Sequence, residues 1–309
     1  MSKAPFPIDP HLTAIAIAYR NKRMIADLVL PRVPVGKQEF KWTKYSLAEG
    51  FTVPDTNVGR TSRINQVNFS GEEQTSSTND YGLECPVPTA DIKNAAPNQD
   101  PLGRSTELVS NIILLDREVR TSNLVFNAAN YPTGNKTTLS GTSQWSHADS
   151  NPVVTITDAL DAMVMRPNIG VFGRRTITNL RRHPKVVKSY NGTSGDEGMV
   201  PLQWLADLLE LEQILVGEAQ LNIARPGQSA NLQRAWGNHA SFHYRDSLAD
   251  ASNGTTFGFT AQFDNRIATN DFDKNIGLRG GQMIRVGESV KEVISAADLG
   301  YFFENAVAS

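Results

Sequence analysis

The residues that first invite a chemical reading are His239 and His243. Four apart on a helix, two imidazoles share a face and can chelate zinc. Their context, Trp236 through Phe242, alternates like a strand, however, and four residues of strand span roughly 13 Å, too far for one ion to bridge. The pair therefore reads as structural. No His-Glu-x-x-His, Gly-x-Ser-x-Gly or Gly-Lys-Ser/Thr string occurs, and Gly277 to Gly281 lacks the strand-to-helix setting of a phosphate loop. Cys85 stands between Glu84 and Pro86, with no basic neighbour to stabilise a thiolate. The carboxylates are too scattered to nominate a catalytic pair. A chain without a catalytic set, a metal or another cofactor is expected, which is to say a non-enzyme.

The densest basic group is Arg174, Arg175, Arg181, Arg182, His183, Lys185 and Lys188, which reads as a solvated helix face. Arg181 and Arg182 are its candidate contacts to DNA or to an acidic neighbour. The chain as a whole does not resemble a nucleic-acid clamp. Its 309 residues hold 30 Lys and Arg against 32 Asp and Glu, a formal charge of -2, whereas such proteins carry an excess of cations to displace counterions. One cysteine excludes an internal disulfide, and no run approaches the roughly 20 apolar residues of a membrane span. A reducing bacterial cytoplasm suits such a chain.

The elements that would position these residues follow in order. Five prolines punctuate residues 1–35, with a short helix expected from about Leu12 to Leu28. This stretch is too poor in apolar content for a core of its own and reads as an arm. From Lys37 to about Asp91 the pattern alternates: Phe40, Trp42 and Phe51 lead out, and Ile64, Val67 and Phe69 lead back. The polar run Gly71 to Asp80 has almost nothing to bury. An isolated two-stranded ribbon is marginal in water, so this one needs something to lie on. Lys37, Lys41 and Lys44 suit edge protection on such a ribbon.

Asp100 and Pro101 open the longest helical signal, to Ala129, with Leu108, Ile112, Leu115, Val119 and Phe126 along one face. Helices are expected near 154–165, 174–183 and 201–210. Strands are expected near 169–172, 213–223 with a break at Gly217, 233–244 and 282–294. The class is α+β.

This order of arm, long ribbon, long helix, mixed region and closing strand resembles the major capsid proteins of tailed phages, the Hong Kong 97-like family. Local strings strengthen the likeness along nearly the whole chain. Among them are Ala26-Asp-Leu-Val-Leu-Pro-Arg-Val-Pro-Val35, Phe40-Lys-Trp-Thr-Lys-Tyr45, Tyr81-Gly-Leu83 before Pro86-Val-Pro88, Leu139-Ser-Gly141 before Gln144-Trp-Ser146, Arg166-Pro-Asn168, Arg182-His-Pro184, Leu215-Val-Gly217, Arg234-Ala-Trp-Gly237 and Val286-Gly-Glu-Ser-Val290.

The resemblance implies an N-terminal arm at 1–35, an extended loop at 36–90 that lies across a neighbouring subunit, and a peripheral domain at 91–166 whose spine helix is 101–129. It further implies an axial domain at 167–275 and a return to the peripheral domain at 276–309. The function implied is self-assembly through pentamers and hexamers into the icosahedral head of a virion around double-stranded DNA, held without sequence-specific contacts. An encapsulin-like compartment is the alternative within the fold, and a monomeric enzyme the alternative outside it. Some relatives begin with a helical scaffolding segment that does not fit ahead of residue 35. A separate scaffolding protein and a portal are therefore the expected partners, with a decoration or minor capsid protein as an optional addition and no membrane. The residues expected at subunit contacts are apolar groups on segments too thin to bury them: Ile15 and Ile17 in the arm, Phe40, Trp42, Phe51 and Phe69 in the ribbon.

Overall fold

The computed structural model describes residues 9–18, 21, 23–45, 52–67, 71–192, 195–225, 227–246 and 255–308. Phe51 and Phe69 lie outside the described residues.

The described residues open with two helices, α1 (Pro10–Ala18) and α2 (Ala26–Val29). They are followed by β1 (Arg32–Val35), the ribbon strands β2 (Glu39–Tyr45) and β3 (Gly71–Ser77), β4 (Asn79–Pro88) and the short helix α3 (Thr89–Asn94). The long helix is α4 (Pro101–Val125). Next come β5 (Lys136–Thr138), α5 (Pro152–Asp161), β6 (Ile169–Gly173), α6 (Arg174–Arg182), α7 (Pro184–Asn191) and α8 (Leu202–Leu208). The remainder is strand: β7 (Gln213–Gly217), β8 (Gln220–Asn222), β9 (Leu232–Arg234), β10 (Ala240–His243), β11 (Gly258–Asp273), β12 (Gly281–Ile294) and β13 (Gly300–Glu304). Helices and strands are thus mixed throughout.

Two sheets organise these elements. The first has the order β1-β11-β12-β4, with β1 parallel to β11 and the other pairs antiparallel. Its two faces differ in what covers them. Ile284 and Val286 of β12 pack with Val109 and Ile113 of α4 and Leu12 and Ala16 of α1. Phe259 and Ala261 of β11 and Val293 of β12 pack instead with Val33 and with Phe40 and Trp42 of the ribbon. Because strand side chains alternate sides, the long helix and the ribbon lie on opposite faces of one sheet.

The second sheet has the order β5-β13-β10-β6-β7. Every residue of β6 and β10 is buried, as expected for strands covered on both faces. Gly217, read from sequence as a strand break, ends β7 where a Cβ would sit 2.1 Å from Trp236 Cγ, so only glycine lets the indole pack there.

Several expectations are corrected by these facts. The ribbon returns along Gly71–Ser77, the run with nothing to bury, while Ile64 and Val67 precede it outside any strand. The register Phe40↔Ser76 and Trp42↔Gln74 leaves the polar residues of β3 largely in solvent, and the backbone ladder with Lys41–Glu73 (2.9 Å) does the pairing. The long helix is capped as expected, Asp100 accepting from the Leu102 amide at 3.1 Å, but it ends at Val125. Its buried face is only partly the expected one, since Phe126 packs against the core and Leu115 and Val119 are half-buried. Val109, Ile113, Leu114 and Val125 point inward with Thr106, Ser110, Arg117, Glu118, Thr121 and Ser122, whereas Leu108 and Ile112 are 56% and 53% exposed. The span 233–244 is two strands separated at Ala235–His239. Residues 258–273, grouped from sequence with 167–275, pair with β12 and so belong to the first sheet. At the other end, β13 pairs with β10 in the second sheet, so the last residues do not stay with the first.

Candidate subunit interfaces

Whether a segment can reach a neighbour depends on what holds it to its own chain. The arm is held by buried charge. Glu288, fully buried on β12, accepts two hydrogen bonds from Arg32 at 2.9 and 3.3 Å and others from Arg266, the shortest at 2.8 Å. Arg266 in turn donates to the Ala16 carbonyl at the end of α1 at 2.8 Å, and Arg32 donates to Asp27 of α2 at 2.7 Å. Arg117 of the long helix also pairs with Asp27, and it donates to Thr260 at 2.9 Å and to the Leu30 carbonyl at 3.2 Å. Burial alone would raise the carboxyl pKa of Asp27 and of Glu288. The guanidinium groups outweigh it, Arg117 and Arg32 at Asp27 and Arg32 and Arg266 at Glu288, and hold both below their ordinary values.

A second buried carboxylate, Glu118, accepts from the amides of Ile25 and Ala26 at 3.0 and 2.8 Å, where α2 begins, and from Trp236 Nε1 at 2.5 Å. Burial raises its pKa despite those donors. One side chain thus joins the arm, the long helix and the segment entering the second sheet. Nothing in the sequence pattern marked Glu118, Arg117, Arg32, Arg266 or Glu288. A charged pair 256 residues apart leaves no local periodicity, and the only hint was that Arg117 and Glu118 sit within a long helix.

The expected contact residues divide accordingly. Ile15 packs in its own chain's core beside Leu12 and Val109. Ile17 is 49% exposed and lines a cleft of about 560 Å³ bounded also by Leu28, Leu114 and Gln262. Phe40 is only 6% exposed, its ring 6.5 Å from Phe259, and Trp42 stands edge-on to the same ring. Phe40 therefore needs no neighbour for its burial, contrary to the reasoning that nominated it. The loop beyond differs: Val53 and Ile64 are 90% and 76% exposed, with Val58 and Val67 also in solvent.

The basic cluster is likewise split. Arg181 Nε donates to the Val200 carbonyl at 2.7 Å, and His183 is buried, capping α7 through the Lys185 amide. Arg174 faces Glu218 at 3.3 Å, and Lys185 donates to the Asp149 carbonyl at 2.7 Å. Arg182, with Arg175 and Lys188, is exposed.

The two histidines have different surroundings. His243 is buried in β10, stacked on Phe257 with ring centroids 4.8 Å apart, and neither ring nitrogen has a hydrogen-bond partner. Burial, with Arg245 nearby, pushes its pKa down to about 3. His239 lies in the break before β10 and accepts from the Asn305 amide at 2.9 Å. Among the described residues no group of three or more His, Cys, Asp or Glu is placed to hold a metal, and no helix is long and apolar enough to cross a membrane.

No family model matches the chain. The major capsid protein of Pseudomonas phage JBD67 is 69% identical over 309 residues, covering all of both chains. The chain belongs to the phage major capsid proteins. As such, the subunit forms the capsid of the virion, and membership of this family decides against an encapsulin-like compartment. Solved structures agree on the fold. A phage-related protein from Bordetella bronchiseptica superposes with a TM-score of 0.79 at 24% identity over 98% of this chain and 99% of that one. The capsid of cyanophage P-SCSP1u superposes with a TM-score of 0.58 at 8% identity, over 98% and 92%.

Proposed function

We propose that this capsid protein has the Hong Kong 97-like architecture and closes an icosahedral shell from pentamers and hexamers around double-stranded DNA. Residues 1–35 are the arm, 36–90 the extended loop, and 91–166 the peripheral domain with its spine helix at 101–125. The axial domain is 167–257. The β11–β12 hairpin belongs to the peripheral domain, and β13 returns to the axial sheet. The observation that carries this reading is the loop at 52–67. Its Val53 and Ile64 side chains are almost fully in solvent on a segment with no core of its own, an arrangement that makes sense when a neighbouring subunit covers them. Many weak contacts of this kind, multiplied around a closed shell, hold it together.

The shell encloses its DNA without specific readout, in keeping with a formal charge of -2. It acts as a structural protein and not as an enzyme, and its assembly uses a separate scaffolding protein and a portal, with a decoration protein as an optional outer layer. Expression with and without its genomic neighbours, followed by electron microscopy, tests the reading. Closed shells with fivefold and sixfold clusters are expected. Only discrete particles near 33.8 kDa in both preparations would overturn it.

A further inference from the structure

His183 lies between α6 and α7, and both nitrogens of its ring are engaged although the residue is only 3% exposed. Nδ1 accepts from the Lys185 amide, in the first turn of α7, at 3.3 Å. A backbone N–H can only donate, so Nδ1 carries no proton and the proton of the neutral ring is on Nε2. From there it is donated to the His147 carbonyl at 3.0 Å, with Ser150 Oγ also 3.0 Å away. One neutral ring therefore joins the end of α6, the start of α7 and the segment 147–150. Lys185 Nζ, donating to the Asp149 carbonyl at 2.7 Å, adds a second tie between α7 and that segment.

A second proton undoes this arrangement. It would sit on Nδ1, aimed at another donor, and the charge would be buried with a carbonyl and a hydroxyl as its partners. The charged groups nearby do not compensate. Lys185 is itself a cation, Arg181 is turned to the Val200 carbonyl, and Arg182 is exposed. In the segment, the Asp149 carboxylate meets His147 at 3.6 Å. On α5, which packs on α7, Asp158 is exposed and Asp161 is paired with Arg166; Asp196 and Glu197, ahead of Val200, are exposed. Burial outweighs the His147 carbonyl and, with Lys185, holds the pKa of His183 below its ordinary value.

We infer that His183 is a proton-operated latch: neutral, it holds the segment 147–150 on the α6–α7 junction, and protonated, it turns out to water and frees that segment and the first turn of α7. In the open form the ring has the ordinary histidine value near 6.5 and in the closed form a lower one, so closure weakens as pH falls below about 6.5. The opening is local. On one side of the segment the Trp145 amide donates to the Ala306 carbonyl at 2.7 Å with the indole buried, and on the other Ile156 and Leu160 of α5 are in the core. The latch lies within one chain, so it goes beyond the shell reading and does not depend on it.

The test uses the unassembled full-length subunit, so its outcome is separate from shell formation. Amide hydrogen exchange, read by mass spectrometry, compares residues 146–151 and 184–190 with the long helix at about pH 7.5 and about pH 5, each rate corrected for the pH dependence of exchange itself. Both stretches should lose protection by about tenfold at the lower pH, while the long helix does not change. His183→Asn keeps an acceptor suited to a helix cap but does not titrate in this range, so its protection should be equal at both pH values. His183→Ser, another cap, takes its place if the asparagine variant lowers the thermal midpoint. His147→Gln removes the neighbouring imidazole but keeps the backbone carbonyl, and should behave as the unaltered chain. Equal protection of the unaltered chain at both pH values overturns the inference. So does an acid-induced loss that persists in the folded His183 variant, that disappears in His147→Gln, or that the long helix shares.

Discussion

The arm and the loop at 52–67 are alike in sequence, since both are thin, proline-marked segments with apolar residues and no core. In the folded chain they behave oppositely. From residue 9 onward the arm is tied down by α1 and α2, with Arg266 on the Ala16 carbonyl, Arg32 and Arg117 on Asp27, and Glu118 on two amides at the start of α2. The loop at 52–67 has local hydrogen bonds, of the Asp55–Asn57 and Asp55–Asn65 kind, and its apolar side chains stay in solvent. Thinness alone does not tell which segment leaves its own subunit; what tells is whether buried partners elsewhere in the chain hold it.

The sharpest way to break this contrast is to remove the loop while keeping what anchors it. Tyr45 and Gly71 are register partners at the end of the ribbon ladder, so residues 46–70 can be replaced by Asn-Gly, a two-residue hairpin turn. The subunit should fold with an unchanged thermal midpoint and form no closed shells by electron microscopy. Normal shells would show that the loop is dispensable and the contrast empty.

Next in size is the arm's clamp. Glu288→Gln leaves Arg266 buried without a carboxylate and Arg32 with Asp27 alone, and breaking one side of a buried pair costs on the order of 3–5 kcal/mol. Denaturant unfolding should show that loss, with cleavage by protease appearing between residues 9 and 35. If stability falls by less than about 1 kcal/mol, the cluster is not what holds the arm.

Phe40→Ala probes the border between the two regions. Because the ring is buried against Phe259 in its own chain, a loss of about 3 kcal/mol in the isolated subunit is expected. A loss that appears only on assembly would instead mark Phe40 as a contact residue. This residue also shows how much was legible beforehand. Alternation revealed β2 but not what it lies on, because Phe259 is 219 positions away in a strand whose Asn and Asp residues hid it. The return strand was missed for a related reason: Gly71–Ser77 pairs through its backbone, which leaves no apolar signature. The long helix was found by its cap and its length, yet its orientation was misread. Its buried face holds Arg117, Glu118 and Ser122, whose partners lie elsewhere in the chain, while Leu108 and Ile112 of its apolar row are exposed.

A smaller effect separates the arm's charges from the rest by pH. The pKa values of Asp27 and Glu288 are lowered, so their contribution is complete above the unfolded carboxylate values near 4 and is lost as pH falls through the folded ones. His243 acts over a different window. Its folded pKa of about 3 lies below the unfolded value, so from about pH 6.5 downward the unfolded state takes up protons first. Stability then falls by about 1.4 kcal/mol per pH unit. His243→Leu should make the slope between pH 6.5 and 5 shallower, the rest coming from His183 and His239, which burial also lowers, while leaving the loss below pH 4. In that background Asp27→Asn should shrink the remaining acid loss. An unchanged slope above pH 5 in His243→Leu would mean that the imidazole is protonated without unfolding.

The smallest expected effect, and the one that isolates assembly from folding, is Val53→Ser with Ile64→Ser. Both side chains are already in water in the free subunit, so unfolding should change by no more than about 0.5 kcal/mol, the range of ordinary surface substitutions. Any consequence must then arise between subunits, where each lost apolar contact is repeated at every copy of the interface. Shell yield measured against subunit concentration should shift to higher concentration while the melting curve of the unassembled subunit stays in place. A melting curve that moves with the yield would mean that the loop packs on its own chain, and the difference between arm and loop would then be one of degree.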